Sequence, residues 1–332
     1  MANVYGPWSM NKIQLGREST AGTAVAATTI WRGPFAMLED SSERQIVDEN
    51  IGLLVQAERA YDKMYGARLA MPATEMTFEQ LPHLLEAGIL TATPSGGGPY
   101  TRVYAYPTDN SVPTIKTYTI ETFNAAADND MLEAEYCFVE EFTLEGAAGE
   151  AWKMSANWIG RQVTPSTPTS LSTLVAVEDA MVPKTTLYID ATGGTVGTTQ
   201  RSKVFMGGSI KVKTGLVAVM IGDGQMYFVS HKWTKPEITY SLNFELQDDS
   251  VSVVAAERAI RKSGAVRLLQ LSIAGSSSRS IVLKWAGKHD TVGNYENSNG
   301  NTTVRIDGHA VYSSADALFF SATVINNVSA LP

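Results

Sequence analysis

From Met131 to Val163 the chain carries two runs of alternating polar and apolar residues that meet at Gly146-Ala147-Ala148-Gly149. In the first run Leu132, Ala134, Tyr136, Phe138, Phe142 and Leu144 fall on one side, and Glu133, Glu135, Glu141 and Glu145 fall on the other. Successive side chains of a strand point to opposite faces, so this period of two predicts a half-buried strand with an acidic face. The second run sets Trp152, Met154, Ala156 and Trp158 against Lys153, Ser155, Asn157 and Arg161. Together they predict a β-hairpin with one wet side.

The second run has an echo 166 residues later, half of the 332-residue chain. The shift carries Trp152, Met154, Ala156 and Trp158 onto Leu318, Phe320, Ala322 and Val324 and keeps the apolar face. Ahead of that echo, Val304, Ile306, Ala310 and Tyr312 alternate with Thr303, Arg305, Asp307 and His309, as its partner strand should. Trp152, Met154, Trp158, Leu318, Phe320 and Val324 are therefore the expected hairpin core. So long a period predicts duplication of a whole domain rather than a solenoid repeat. The length agrees, since two domains of ~165 residues can each bury a core. The expected division is 1–163, a Thr/Pro/Ser linker at 164–173, and 174–332.

Each half also carries one helix signal. Thr77-Phe78-Glu79-Gln80 has the Thr-x-x-Gln form of a capping box, followed by Leu81, Leu84, Leu85 and Ile89, with Pro82 in the first turns. In the second half Ser250 is the expected cap, Val251, Val254 and Ala255 the apolar stripe, Glu257 and Arg261 a pair one turn apart, and Gly264 the stop. A strand-like alternation, Ile238 to Leu246, precedes that helix. Gly193-Gly194, Gly207-Gly208 and Gly222-Asp223-Gly224 read as turns between short strands. The expected fold is mainly β: two β-rich sandwich or open-barrel domains, each with one flanking helix.

Two further segments read as surface features. Residues 13–30 show little periodicity and are expected as an extended arm laid against something else. Residues 43–66 are charged, yet hold Ile51, Leu53, Leu54 and Val55 at their centre. Solvated loops seldom carry such a cluster, so the segment reads either as a hairpin that finds its apolar partner on another subunit or as an ordinary surface hairpin.

Charge and chemistry narrow the function. Net charge is −8, and it is uneven: residues 1–166 hold 11 Lys and Arg against 21 Asp and Glu, and residues 167–332 hold 15 against 13. No basic patch for gripping phosphates stands out. An acidic surface repels DNA, which suits a conduit better than a clamp. The single cysteine, Cys137, excludes an internal disulfide and a cysteine-based zinc cluster. His83, His231, His289 and His309 lack metal-ligand spacing, and no nucleophile or phosphate-loop motif is present, so neither catalysis nor a cofactor is expected. No apolar run is long enough for a membrane helix, no secretory start is visible, and synthesis in the cytoplasm follows as the default. The acidic face reads as a solvated surface, as the wall of a charged lumen, or as a carboxylate pair, of which the last lacks an aromatic cleft.

Leu15-Gly16-Arg17-Glu18-Ser19-Thr20-Ala21-Gly22-Thr23-Ala24-Val25, the helix Phe78 to Gly88, and Glu141-Phe142-Thr143-Leu144-Glu145-Gly146 with its Trp-containing partner resemble the tail tube proteins of bacteriophages with long, non-contractile tails. The resemblance covers most of residues 13–163 and rests on the internal repeat beyond them. It implies a structural virion protein, made in the host cytoplasm, whose rings stack into a tail tube through which the genome passes. A tandem copy of the domain implies a trimeric ring with pseudo-sixfold symmetry. Glu133, Glu135, Glu141 and Glu145 would line the lumen, and Ile51, Leu53, Leu54 and Val55 in the 43–66 loop would stack rings. The implied partners are further copies of itself, tape measure, tail-tip and tail-terminator proteins, and DNA passing without specific binding. The competing reading is a two-domain β-sandwich binding module for carbohydrate or a surface, which predicts exposed tryptophans among Trp8, Trp31, Trp233 and Trp285.

Overall fold

The computed structural model describes residues 6–55, 58–171, 173–246, 248–276, 278–298 and 300–332. The first half contains β1 (Asn11–Arg17), β2 (Thr29–Ile30), β3 (Glu39–Asp40), β4 (Glu43–Ile46), β5 (Ala60–Met64), β6 (Ala67–Glu75), α1 (Leu81–Gly88), β7 (Tyr100–Ala105), β8 (Tyr118–Asn124), β9 (Ala127–Ala147), β10 (Lys153–Gly160) and β11 (Thr164–Ser166). The second contains β12 (Thr185–Ala191), β13 (Gln200–Arg201), β14 (Phe205–Lys213), β15 (Leu216–Val219), β16 (Ser230–Trp233), β17 (Glu237–Glu245), α2 (Asp248–Ser263), β18 (Arg267–Ala274), β19 (Ser280–Val292), β20 (Glu296–Ser298), β21 (Asn301–Ala310) and β22 (Phe320–Asn326). The fold is mainly β and antiparallel.

One pairing order occurs in both halves. In the first, β1 pairs with β8, β8 with β9, β9 with β10, β10 with β6, and β6 with β3. In the second, β12 pairs with β18, β18 with β19, β19 with β21, β21 with β17, and β17 with β14. A two-stranded hairpin precedes β6 (β4–β5) and β17 (β15–β16), and a helix follows each. The long strands β9 and β19 each serve two layers: the start of β9 pairs with β8 and β11 and its end with β10, while the start of β19 pairs with β18 and β22 and its end with β21. A bulge marks each change, Glu140 being skipped between Trp158↔Val139 and Asn157↔Glu141, and Asp290 between Gly308↔His289 and Asp307↔Thr291. A bulge adds twist and bends the strand, which is what carries it from one layer to the next.

The core lies between the layers. Ile13, Leu15, Tyr118 and Ile120 face Leu69, Met71, Met154 and Trp158, and the Tyr118 and Trp158 rings meet edge-on at 5.7 Å. In the second half the Tyr240 and Trp285 rings lie 5.5 Å apart. Burying side chains of this size contributes roughly 1.5–3 kcal/mol each, so these few aromatics hold much of the sandwich together. The two halves share this core and are stitched twice: β14 pairs with β9 from Gly207↔Ala147 to Lys213↔Glu141, and β7 pairs with β22. One antiparallel run therefore crosses the molecule in the order β3, β6, β10, β9, β14, β17, β21, β19.

Several sequence expectations change here. Residues 13–30 are not all an arm, because Asn11–Arg17 forms β1, paired along its length with β8. It is covered on both faces by Ile13, Leu15 and the buried polar Gln14, which erases the alternation. Residues 303–312 and 318–324 are not partner strands, since β21 pairs with β17 and β19 whereas β22 pairs with β19 and β7. By pairing, β10 corresponds to β21, not to β22. Gly207 and Gly208 are not a turn but lie inside β14. The Thr/Pro/Ser segment runs against the first half, with β11 on β9 and Thr169 hydrogen-bonded to the Glu121 carboxylate at 2.6 Å.

The helices keep their expected ends better than their faces. Thr77 Oγ1 accepts the Gln80 N–H at 3.0 Å, and every residue of α1 is buried against the sheet. Gly264 stops α2 at φ +68°, a conformation that favours glycine. In α2 it is Val253, Val254 and Glu257 that are buried, while Ala255 is exposed; the expected cap at Ser250 and the Val251 side chain lie outside the described side chains. Glu257 pairs with Arg267 rather than with Arg261.

Candidate functional site

The run of strands presents one polar face across both halves. Its side chains include Lys153, Ser155 and Asn157 of β10, Glu141, Thr143 and Glu145 of β9, Ser209, Lys211 and Lys213 of β14, Glu237, Thr239 and Asn243 of β17, and Arg305 and Asp307 of β21. Acids and bases alternate and pair: Lys211 meets Glu141 at 2.9 Å, Lys213 meets Glu237 at 3.0 Å, and Arg305 meets Asp307 at 2.6 Å. The face is polar and charge-compensated rather than an acidic wall.

The four carboxylates expected on one wet face divide into two environments. Glu141 and Glu145 lie on the shared face. Glu135 is buried, accepting a hydrogen bond from Gln162 Nε2 at 3.2 Å, and Glu133 is half-buried beside β11. Burial pushes both carboxyls above the usual range, with Glu121 and Glu135 adding to the effect on Glu133. The physical reason is a second irregularity between Ala134 and Cys137, where Tyr136 adopts φ +57°. It turns Tyr136 and Phe138 away from the main core, contrary to the alternation, and the β15–β16 region covers them with Leu216 and Phe228. Arg161 clamps this cover, its guanidinium 4.8 Å from the Tyr136 ring and 4.9 Å from the Tyr227 ring.

The expected core residues Trp152, Met154, Trp158, Phe320 and Val324 are buried, and Leu318 is half-buried in the bend before β22. They belong to one core but not to matching hairpins.

The β9–β14 joint was not legible as such. A Cβ on Gly207 would lie 2.1 Å from the Gly146 carbonyl oxygen, and one on Gly208 would lie 2.1 Å from that of Ser241. Only glycine lets the three backbones approach so closely. At the far end Thr214 donates its N–H to the carbonyl of the bulged Glu140 at 3.0 Å. The signal available in sequence was the glycine pair running straight into the alternation Ser209 to Lys213.

The 43–66 segment stands out from the sandwich as the β4–β5 hairpin, laced by Arg44–Asp62 at 2.6 Å and Arg59–Glu49 at 2.8 Å. Ile51, Leu53, Leu54 and Val55, at its tip, are each more than half exposed. Together they form an exposed apolar patch at the hairpin tip.

Among the described residues nothing else gathers into a reactive centre. Among the described residues no three His, Cys, Asp or Glu side chains could hold a metal ion, and no helix is long and apolar enough to cross a membrane. His289 contacts Glu257 and Tyr240, and His309 contacts Asp290, with no nucleophile at either. The Cys137 thiol is buried, which pushes its pKa up and leaves it inert. Of the four tryptophans that a carbohydrate platform would need, Trp31 and Trp285 are buried, Trp233 is half-buried and Trp8 alone is exposed.

No curated protein matches the chain. The model of the family described as phage tail tube protein matches residues 8–319, which span both halves, both helices and the joint between them. The match takes in well over half of the chain, and this chain belongs to the phage tail tube protein family.

Proposed function

We propose that this chain builds the tube of a long, non-contractile phage tail, a siphophage tail, as stacked rings of about three chains, each chain contributing two copies of one tube domain. The observation that carries the reading is the shared pairing order of the halves, with a bulge at Glu140 in one and at Asp290 in the other. On this reading 1–163 and 174–332 are the two domains, 164–173 is their connection, and the ring is pseudo-sixfold. The polar face bearing Glu141 and Glu145 lines the channel, where Lys211 and its neighbours leave little net charge to hold passing DNA. Ile51, Leu53, Leu54 and Val55 pack between rings. Tape measure, tail-tip and tail-terminator proteins are the other partners in the virion.

Negative-stain electron microscopy with light scattering on the concentrated protein tests this. Rings or tubes with about three chains and about six repeats per ring are the expected result. Rings of about six chains, or a monomer that fails to polymerise with tail-tip components, would overturn it.

A further inference from the structure

Helix α1 lies in the first half of the sequence, yet the second half closes it in. Every residue of α1 is buried, whereas α2 leaves Ala255, Ala259 and Arg261 exposed. Two side chains of the second half hold the turn that starts α1. Arg279 pairs with Glu79 at 2.8 Å and with Glu178 at 3.1 Å. Asn326, buried at the end of β22, donates its side-chain N–H to the Phe78 carbonyl at 2.7 Å. The chain then passes two arginines of the first half. Arg102 of β7 donates to Asn326 Oδ1 at 3.1 Å and to the Val328 and Ser329 carbonyls at 2.8 and 3.1 Å. Arg17 of β1 donates to the Leu331 carbonyl at 3.2 Å, and the Leu331 side chain is buried.

Arg102 makes these contacts matter. Its residue is 1% exposed, and among the described residues its guanidinium forms no ion pair, so the oxygens of Asn326, Val328 and Ser329 are its hydrogen-bond acceptors. Glu86 is bonded to Arg17 and Tyr118 instead. A buried charge whose acceptors are withdrawn is strongly destabilising, so the first half around Arg102 depends on the segment that follows β22. The hold also reaches the sheet. Glu86, which Arg17 grips, lies in the last turn of α1, and at Gly88 a Cβ would lie 3.0 Å from Thr214 Cγ2 and 3.3 Å from Val139 Cβ. Val139 precedes the bulged Glu140, and Thr214 donates its N–H to the Glu140 carbonyl at 3.0 Å. The end of α1 therefore buttresses the place where β9 changes layer and its polar face begins.

We propose that the segment Asn326–Leu331 is a strap that locks α1, and through it the β9 bulge, and that a chain can enter a ring only with the strap closed. The strap is synthesised after the whole first half. Until it is in place Arg102 lacks its acceptors, α1 is open on the side that Asn326 covers, and the bulge at Glu140 is without a firm buttress. A chain still being made, or one that has not finished folding, is thereby kept out of the tube. The inference rests on the ring reading above and adds to it a control on when a subunit becomes competent.

The test compares variants of the full chain by amide hydrogen exchange and by light scattering during assembly. Asn326→Ala removes an acceptor of Arg102 and the donor to Phe78 together. Exchange in α1 should speed up by about tenfold or more while α2 is unchanged, and assembly should slow by about the same factor, because only the closed fraction is competent. Leu331→Ser frees only the end of the strap and should act in the same direction by roughly threefold, which keeps the test open if Asn326→Ala does not fold. Ile306→Val trims a buried side chain of the second-half core and controls for general loss of stability; it should change assembly by less than about twofold. Unchanged exchange in α1, a loosened α1 with assembly at the unmodified rate, or equal slowing by Ile306→Val each overturns the strap and leaves the ring reading standing. Absence of rings in the unmodified protein overturns the ring reading and the control on assembly with it, and the exchange result then still decides whether the strap holds α1.

Discussion

The two halves anchor their helices with the same four side-chain types, connected in a different order. In the first half Glu86 of α1 takes Arg17 Nε at 3.1 Å and the Tyr118 hydroxyl at 3.2 Å, and His83 reaches only that hydroxyl, at 3.0 Å. In the second half Glu257 of α2 takes Arg267 through two bonds of 2.9 Å and His289 Nε2 at 3.0 Å, and Tyr240 stands behind the histidine at 2.9 Å. Tyrosine separates acid from imidazole in one lock, and imidazole touches the acid in the other. Both carboxylates are buried, so each needs its cation. The difference lies in whether an imidazole nitrogen reaches the carboxylate directly.

Removing the arginines should have the largest effect. Arg17→Met and Arg267→Met each leave a buried carboxylate without its guanidinium, and each should cost about 3–5 kcal/mol in thermal or urea unfolding at neutral pH. In Arg267→Met the His289 ring still contacts Glu257 at 3.0 Å, whereas His83 does not reach Glu86, so the loss at Arg267 should be the smaller of the two. Equal losses in both variants would break the comparison.

Acid should then separate the halves in the intact protein. Burial, with Arg17 and Arg102 nearby, pushes His83 down to about 3. Its unfolded value is near 6.5, so the unfolded chain takes up the proton first. The stability held by neutral His83 is complete above about pH 6.5 and declines as pH falls toward 3, by on the order of 4 kcal/mol across that window. For Glu257, burial alone raises the pKa, but hydrogen bonds from His289 and Arg267 outweigh it and the net value is lowered. Its contribution is therefore present above the unfolded carboxylate value, near 4.3, and is lost only below it. Hydrogen exchange at stepwise lower pH should show α1 and β8 loosening before α2 and β18. His83→Gln should flatten the first half's response between pH 6.5 and 4.5.

The smallest effects sharpen the same contrast at the helix ends. Thr77→Ala removes the hydroxyl that accepts the Gln80 N–H at the start of α1 and should cost about 1 kcal/mol. Gly264→Ala forces a side chain into φ +68° with open space around it, for about 1 kcal/mol at α2. Calorimetry on both variants checks whether the halves unfold as one unit, as their shared core predicts. Two separate transitions would show that they do not.

How far the sequence could be read follows from where its periodicity survives. The β9–β10 hairpin, the Thr77 cap, β17 and the Gly264 stop were legible because each rests on a local rule. The faces of β9 were not, because the irregularities around Glu135 and Glu140 reverse the alternation twice, and nothing in the composition of that strand announces them. The internal correspondence was hidden by exchange of bulk. Leu69 pairs with Trp158 in the first half, while Tyr240 pairs with Gly308 in the second, so the large side chain has moved to the neighbouring strand. Gly287 and Gly308 leave the room that the Tyr240 ring fills. At a spacing of 166 residues it is therefore β22, not β21, whose apolar alternation matches that of β10. Among the candidate site residues, the hairpin that carries Ile51 to Val55 was legible from its apolar centre between charged arms, and the exposure of its tip fits a subunit contact and a surface hairpin alike. Glu135 was not, because only tertiary contacts bury it.

The β9–β14 joint has a kinetic consequence. Both strands are on one chain, so they meet during folding at a local concentration set by the segment between Ala147 and Phe205, whatever the amount of protein present. No translational freedom is lost in making that joint. In the ring proposed above, only every other joint would form by collision, so its rate of closure should depend on subunit concentration with a lower order than that of a ring of single-domain chains.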